Sequence, residues 1–204
     1  MQRAQCLGGG NGWQNKDVSE TTPKTHHIVI IGGGPGGYEA ALAGTQLGAQ
    51  VTLIERDGIG GNAVLTDVVP SKTLIATADA AQSVAHAAEL GIRFSQDGKE
   101  ISPKVEIDLS TVNRRLREIA DAQSDDMLQN LNEAGVRIIR GTGRLDTNHY
   151  VVATDHNGKE ELLEAKTIII AVGATPRELS SAKPDGDRIL TWKQLYNLKE
   201  LPEH

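Results

Sequence analysis

The sequence predicts an α/β fold, with a parallel sheet and an antiparallel β excursion. Residues 27–55, HIVIIGGGPGGYEAALAGTQLGAQVTLIE, contain an apolar run, a glycine-rich turn, an alanine-rich helical segment and a second apolar run. Residues 109–134 repeat apolar side chains at helical spacing, and residues 145–165 alternate around an Asp-His-Asn-Gly turn. A strand-helix-strand unit, a long amphipathic helix and a hairpin together favour a sheet covered by helices.

The first turn carries the glycine pattern of a Rossmann-like dinucleotide site. Gly32 permits the tight turn, Gly34 lets the backbone approach a pyrophosphate, and Gly37 lets the helix lie close to the sheet. The helix N-terminus presents N–H groups and its positive dipole end to the phosphates. Glu55 ends the second strand, where an acid accepts hydrogen bonds from ribose hydroxyls. The residues predicted to hold the dinucleotide here are Gly32, Gly34, Pro35, Gly36, Gly37 and Glu55.

The remaining elements follow from periodicity and turn signals. An alanine-rich helix is expected beyond Lys72, closing near Gly91, and a turn at residues 96–98. The helix at 109–134 is expected to present an apolar stripe made of Val112, Leu116, Ile119, Met127, Leu128 and Leu131. Strands are then expected from Gly135 to the buried run at residues 167–171, and a short helix from Thr191.

Composition excludes several classes of protein. The 204 residues carry a net charge of -6 without a run of Lys or Arg, which argues against a nucleic-acid partner. The apolar stretches are strand-sized, so no membrane span is expected. The single cysteine, Cys6, permits no intrachain disulfide and suits a reducing, cytoplasmic location. Residues 1–25 are expected to be a disordered tail, and His86 has no companion at metal-ligand spacing, so no metal site is predicted.

A second motif makes the sequence more specific. Gly60 and Gly61 precede Pro-Ser-Lys at residues 70–72. In this respect the chain resembles the pyridine nucleotide-disulfide oxidoreductases, which include dihydrolipoamide dehydrogenase, glutathione reductase and mercuric reductase. In that family two cysteines, five positions apart, lie between the glycine pair and Pro-Ser-Lys. Their positions in this chain are occupied by Ala63 and Val68.

This departure changes the chemistry that the resemblance implies. A dithiol relay needs two sulfurs, which alanine and valine cannot supply. The chain is most similar to a cysteine-less bacterial branch of the family, whose members are flavoproteins that oxidise NAD(P)H and pass electrons to quinones. The resemblance therefore implies FAD as cofactor, NAD(P)H as co-substrate and a quinone-like electron acceptor.

The resemblance also suggests further site residues, and the glycine pair Gly60 and Gly61 is expected to contribute to cofactor binding. Lys72 corresponds to a lysine that lies beside flavin N5 and stabilises negative charge on the reduced flavin. The alternative is an ordinary helix lysine whose side chain is solvated. Ala171 and Gly173 match a strand end where a glycine passes close to the flavin, although Val172 replaces the family's threonine. Gly143 matches a position whose backbone meets the adenosine side, and the alternative is a plain turn glycine.

The domain organisation implied by the resemblance is incomplete. Residues 26–180 are expected to form the first segment of an FAD-binding domain, and residues 181–204 a linker towards an NAD(P)H-binding domain that these residues do not include. In the family the second flavin segment and the dimerisation domain also follow later. The full-length protein is expected to be a homodimer.

Three other functions stay open at this point. Two alternatives are a dihydrolipoamide dehydrogenase-like protein with true lipoamide chemistry, which Ala63 and Val68 argue against, and a non-catalytic FAD-binding fragment. A single-domain nicotinamide dehydrogenase is a more distant alternative. Such an enzyme would need a Tyr-x-x-x-Lys pair or a similar acid, and none occurs after the first half of the fold.

Overall fold

The structure, a computed structural model, describes residues 26–202. The predicted tail and Cys6 lie outside the described residues. The helices and strands, in chain order, are β1 (His27–Ile31), α1 (Pro35–Gln46), β2 (Gln50–Glu55), α2 (Gly61–Leu65), α3 (Val68–Ala85), β3 (Phe94–Gln96), β4 (Lys99–Ile101), α4 (Leu109–Glu133), β5 (Arg137–Leu145), β6 (Tyr150–Asp155), β7 (Glu160–Glu164), β8 (Thr167–Ile170) and α5 (Trp192–Leu195).

Six strands form the main sheet, in the order β7-β6-β5-β2-β1-β8. The strands β5, β2, β1 and β8 are parallel neighbours, whereas β6 pairs antiparallel with both β5 and β7. Ile31 lies opposite Ile54 and Ile170, so β1, β2 and β8 end at the same edge. The predicted α/β class with an antiparallel excursion is confirmed, and open parallel sheets bind ligands at this edge.

The central strands are buried on both faces, which explains their nearly continuous apolar sequences. One core lies between the parallel strands and the antiparallel excursion, and comprises Val29, Ile31, Ile54, Val151, Ala153, Leu163 and Ala165. The other core lies between the same strands and the helices, and comprises Ile30, Ala41, Val51, Leu53, Ile59, Leu131 and Val136. Successive residues of β1 therefore serve opposite cores. No helix of residues 26–202 is both long and apolar enough to cross a membrane.

Strand β5 changes partner halfway along its length. Residues 137–140 pair with β2, and residues 141–145 pair with β6. A Cβ on Gly141 would lie 2.0 Å from the carbonyl oxygen of Thr154. Only glycine therefore lets β5 and β6 approach closely at the residue where the strand leaves the parallel sheet.

The segment between β2 and the alanine-rich helix folds differently from the prediction. The helix predicted to begin beyond Lys72 already begins at Val68, so it contains the Pro-Ser-Lys motif. Pro70 is tolerated there because the first-turn N–H groups of a helix have no intrahelical partner. The helix ends at Ala85, and a short 3-10 turn leads to Gly91, whose φ of 76° closes it.

Helix α4 lies where the sequence predicts a helix, but not every residue of the predicted apolar stripe is buried. Ile119 is 37% exposed, because the buried face carries polar residues instead. The amide of Asn113 donates to the carbonyl of Leu198 at 2.8 Å, and the hydroxyl of Ser124 donates to the carbonyl of Ile59 at 2.7 Å. These two bonds fix the rotation of the helix against the loops around the sheet edge.

Asp108 caps the N-terminus of α4, and we expect its negative charge to stabilise the folded chain. Its carboxylate accepts hydrogen bonds from the hydroxyls of Ser110 and Thr111, both at 2.6 Å, and from the N–H of Thr111 at 3.2 Å. These bonds lower the pKa of Asp108 from 3.8 to about 2. Because the folded-state pKa is depressed, its stabilising contribution is complete above pH 3.8 and is lost as the pH falls towards about 2.

Replacing the cap with Asp108→Ala is expected to lower Tm at neutral pH by about 2 to 4 °C, since the helix loses its side-chain acceptor. Asp108→Asn keeps an acceptor that cannot titrate, so it should keep most of the Tm at neutral pH. It should also weaken the acid-dependent loss of Tm between pH 4 and pH 2. Thermal unfolding followed by circular dichroism measures both effects. An alanine variant with an unchanged Tm would contradict this role.

Candidate functional site

A cavity of about 880 Å³ opens at the shared carboxyl end of β1, β2 and β8. The phosphate-binding turn predicted from the sequence forms one wall, and the middle of β5 forms another. The predicted site residues that line it are Gly32, Gly34, Pro35, Gly36, Glu55, Gly61, Gly143, Ala171 and Gly173. Gly37, Gly60 and Lys72 lie outside this lining.

Gly32 and Gly37 shape the turn between β1 and α1. The N–H of Gly32 donates to the carbonyl of Ile54 at 2.8 Å, and its φ is 104°, a conformation that favours glycine. A Cβ on Gly37 would lie only 1.9 Å from the carbonyl oxygen of Gly32. Gly37 therefore acts behind the cavity, where it lets α1 lie against its own turn.

Gly34 and Gly36 leave open space towards the cavity. A Cβ on either residue would meet nothing within 4 Å, and the same is true of Gly173 across the cavity. Gly34 is also the N-cap of α1 and has no side chain to accept from the first-turn N–H groups. Glycines whose absent side chains face a cavity, next to a helix N-terminus, form a cradle that fits an anionic ligand.

Gly60 and Gly61 connect the start of α2 to the same turn. The N–H of Gly60 donates to the carbonyl of Gly33 at 2.8 Å. Both glycines have positive φ values, 95° and 54°. A Cβ on Gly61 would lie 2.9 Å from the Cα of Gly34, so the two backbones are in direct contact. The glycine pair thus closes the phosphate turn from the side of α2.

Glu55 holds the two loops together. Its carboxylate accepts hydrogen bonds from the N–H groups of Gly33 at 2.6 Å, Asp57 at 2.7 Å and Gly58 at 3.3 Å. Because a carboxylate offers about four acceptor positions, one remains for a ribose hydroxyl. Glu55 therefore has a structural role that the sequence reasoning missed, in addition to the binding role that it predicted.

Gly143 lies within a strand and not in a turn. It pairs with Ala153 in the β5–β6 ladder, so the alternative of a plain turn glycine is wrong. A Cβ there would lie 3.1 Å from side-chain carbons of Ile31 and of Ile54. The residue is small because the core behind it is tightly packed, while its backbone lines the cavity.

Comparison with known proteins gives this site its context. The family model described as pyridine nucleotide-disulphide oxidoreductase matches residues 26–204. The chain belongs to this family. All residues that line the cavity lie within the matched range.

Two relatives and one solved structure in the family are informative. A "NAD(P)H dehydrogenase (quinone)" of Mycobacterium tuberculosis is 44% identical over 186 residues, which cover 87% of this chain and 36% of the relative. A "Dihydrolipoyl dehydrogenase" of Chlorobaculum parvum is 33% identical over 185 residues, covering 91% and 38%. The crystal structure of LpdA from Mycobacterium tuberculosis superposes with a TM-score of 0.78 at 42% identity, covering 88% of this chain and 39% of that chain. The chain thus spans somewhat over a third of these family members.

Of the two positions at which the resemblance implies cysteines, position 63 lines the cavity and position 68 does not. Ala63 lies in α2 and lines the cavity, and Val68 is 48% exposed at the start of α3. Lys72, about one turn further along α3, has an exposed side chain. Its predicted contact with a flavin ring stays a prediction.

The structure adds cavity residues that sequence reasoning did not find. Asp57 lies two residues after Glu55, and its pKa is lowered by a hydrogen bond from Arg56 and by the positive charge of Arg56, whose guanidinium lies 2.8 Å away. Trp192 and Lys193 line the cavity from a distant part of the chain. The only indication in the sequence that Asp57 lines the cavity is its proximity to the acid at the end of β2. Nothing in the sequence indicates that Trp192 and Lys193 line it. Within residues 26–202, no cluster of three His, Cys, Asp or Glu side chains has the arrangement of a metal site.

Proposed function

We propose that this chain is the FAD-binding part of an NAD(P)H-dependent oxidoreductase that passes electrons to a quinone-like acceptor without a redox-active disulfide. The observation that carries the proposal is the cavity itself, which combines the glycine cradle with Ala63 at a position where the resemblance implies a cysteine. The name of the 44% identical mycobacterial relative supports the choice of acceptor.

The described residues offer FAD a glycine cradle with open space and hydrogen-bonding groups around it. The N–H groups at the start of α1 would receive the pyrophosphate beside Gly34 and Gly36, where no side chain intrudes. Glu55 would accept from the ribose, and the backbone of Gly143 would meet the adenosine side. Gly173, with a φ of 69° and open space around its Cα, would lie beside the flavin ring. Bound FAD would supply the two-electron redox chemistry, and the protein would orient it and exclude water.

Lys72 belongs to this proposal as a residue that tunes the flavin. It lies in α3 five residues, about one and a half turns, beyond Asp67, which lines the cavity. A fixed ammonium group near the ring would stabilise negative charge on the reduced flavin. The proposed cytoplasmic location, the NAD(P)H-binding domain and the homodimer concern the whole protein, because this chain spans 36% to 39% of its relatives' lengths.

The main alternative is a dihydrolipoyl dehydrogenase, which is the name of the Chlorobaculum relative. That chemistry would need a pair of thiols that react with a substrate disulfide or dithiol. Ala63 and Val68 offer none at those positions, so we favour direct electron transfer to a small acceptor.

The flavin itself provides the test. The purified chain, incubated with FAD and desalted, is expected to keep a flavin absorbance spectrum. Bleaching by NADH or NADPH and recovery on adding a benzoquinone would support a working oxidoreductase. Retained flavin without bleaching would support the narrower role of an FAD-binding fragment. A colourless chain that cannot be loaded would contradict the proposal, and a dihydrolipoamide assay with measurable turnover would favour the alternative.

A further inference from the structure

The loop between β2 and α2 touches the phosphate-binding turn but has little rigidity of its own. Its last residues before α2 and the first residue of α2 read Gly-Ile-Gly-Gly, at positions 58–61. Glycine adopts more backbone conformations than any other residue, and Gly60 has a φ of 95°. A peptide group beside such glycines can rotate as a unit unless a group outside the loop holds it.

One peptide group of this loop is held at both ends. Its N–H belongs to Gly60 and donates to the carbonyl of Gly33, in the phosphate-binding turn, at 2.8 Å. Its carbonyl belongs to Ile59 and accepts from the hydroxyl of Ser124, on α4, at 2.7 Å. Because the C=O and N–H of a trans peptide point in opposite directions, the bond from Ser124 also fixes the direction of the Gly60 N–H.

The bond from Ser124 is buried and joins distant parts of the sequence. Ser124 is 9% exposed and Ile59 is 4% exposed, and the two residues are 65 positions apart. A hydrogen bond away from water is electrostatically stronger than one in water, and two bonds to one peptide group polarise each other. Without the hydroxyl, the carbonyl of Ile59 would be buried without this donor, and rotation of the peptide would relieve that cost.

Direct contacts pass this constraint from the loop to the turn. A Cβ on Gly33 would lie 2.9 Å from Cδ1 of Ile59, so the Ile59 side chain packs against the backbone of the turn. Gly61, the next residue after the held peptide, contacts the Cα of Gly34 in the same way. A rotated peptide would withdraw the donor to Gly33 and loosen the turn whose N–H groups face the cavity.

We propose that Ser124 is a positioning residue for the cofactor. Its hydroxyl orients the peptide between Ile59 and Gly60, and thereby holds the phosphate-binding turn in the form that receives the pyrophosphate. This inference rests on the proposed function, since it requires the cavity to bind FAD. Ser124 is not among the residues that line this cavity, so it acts through the loop. A turn that is ordered in advance has less freedom to lose when the ligand binds.

Amide hydrogen exchange of the full chain without FAD tests the hold on the loop. Ser124→Ala is expected to speed exchange of the Gly60 N–H about tenfold relative to the amides of β1, because the peptide can turn this N–H away from Gly33. Asp108→Ala is the control, since it removes the N-terminal cap of the same helix and should leave that ratio unchanged. An unchanged ratio in Ser124→Ala would overturn the proposal.

Binding constants then show whether the loop matters for the cofactor. Ser124→Ala is expected to weaken FAD binding about tenfold in titration calorimetry, whereas Ser124→Thr keeps the hydroxyl and should bind within about threefold of the parent chain. Equal weakening in Asp108→Ala and Ser124→Ala would mean that lost helix stability alone is responsible, and would overturn the positioning role. A parent chain that binds no FAD would contradict the proposed function, while the exchange ratio would still decide whether Ser124 holds the loop.

Discussion

Gly37→Ala is expected to destabilise the folded chain by about 3 kcal/mol. The new Cβ would lie 1.9 Å from the carbonyl oxygen of Gly32 and 3.4 Å from the Cβ of Ala171. The nearest atom belongs to the backbone, so relief requires α1 to move away from the sheet that it covers. The gain in helix propensity from glycine to alanine is at most about 1 kcal/mol and cannot offset such an overlap.

The neighbouring glycine provides a matched control for this prediction. Gly36→Ala makes the same chemical change one residue earlier in α1, where a Cβ meets nothing within 4 Å. Its free energy of unfolding should equal or slightly exceed that of the parent chain. Urea unfolding of the three proteins measures the difference. Equal midpoints for Gly37→Ala and Gly36→Ala would contradict the steric argument.

Gly34→Ala is expected to weaken FAD binding by about tenfold to a hundredfold while leaving the fold intact. The backbone of Gly34 already has φ −66°, which alanine adopts readily, and its Cβ would clash with nothing in the protein. The added methyl group would instead stand in the cavity, where the backbone must approach the pyrophosphate. Overpacking of a well-fitted site by one methyl group costs about 1–3 kcal/mol.

This second prediction separates binding from stability. Titration calorimetry with FAD gives the change in Kd, and urea unfolding without FAD gives the change in stability. Gln46→Ala, at the exposed far end of α1, is the control and should change neither quantity appreciably. A Gly34→Ala chain that binds FAD as tightly as the parent chain would contradict the position proposed for the pyrophosphate.

Together the two substitutions distinguish the roles of Gly37 and Gly34, two glycines of the same motif. Gly37 allows the helix to touch its own turn, and Gly34 leaves room for a ligand. Both needs select glycine, so the sequence alone does not distinguish them. The structure does distinguish them. A Cβ on Gly37 would overlap the protein backbone, whereas a Cβ on Gly34 would meet no protein atom within 4 Å.

Much of the fold was predictable because the signals are local. The strand-turn-helix-strand unit of residues 27–55, the long helix α4 and the β6–β7 hairpin each follow from periodicity and turn residues within one segment. The start of α3 and the exposure of Ile119 were predicted wrongly. In the first case the alanine-rich pattern that predicts the helix begins only after Lys72, whereas the helix also includes residues 68–72. In the second the rotation of α4 is set by polar contacts to distant loops.

The sequence by itself determined the family, the glycine-rich turn, the acid at the end of β2 and the presence of alanine and valine at positions 63 and 68, because these depend on residue types at fixed spacing. Only the tertiary structure decided that Glu55 ties two loops together and that Gly143 is held by the core behind it. It also brought Trp192 to the cavity, more than 130 residues from the glycine turn. Such neighbours arise from the folding of the sheet edge and the docking of the C-terminal segment on α4, and no local pattern encodes them.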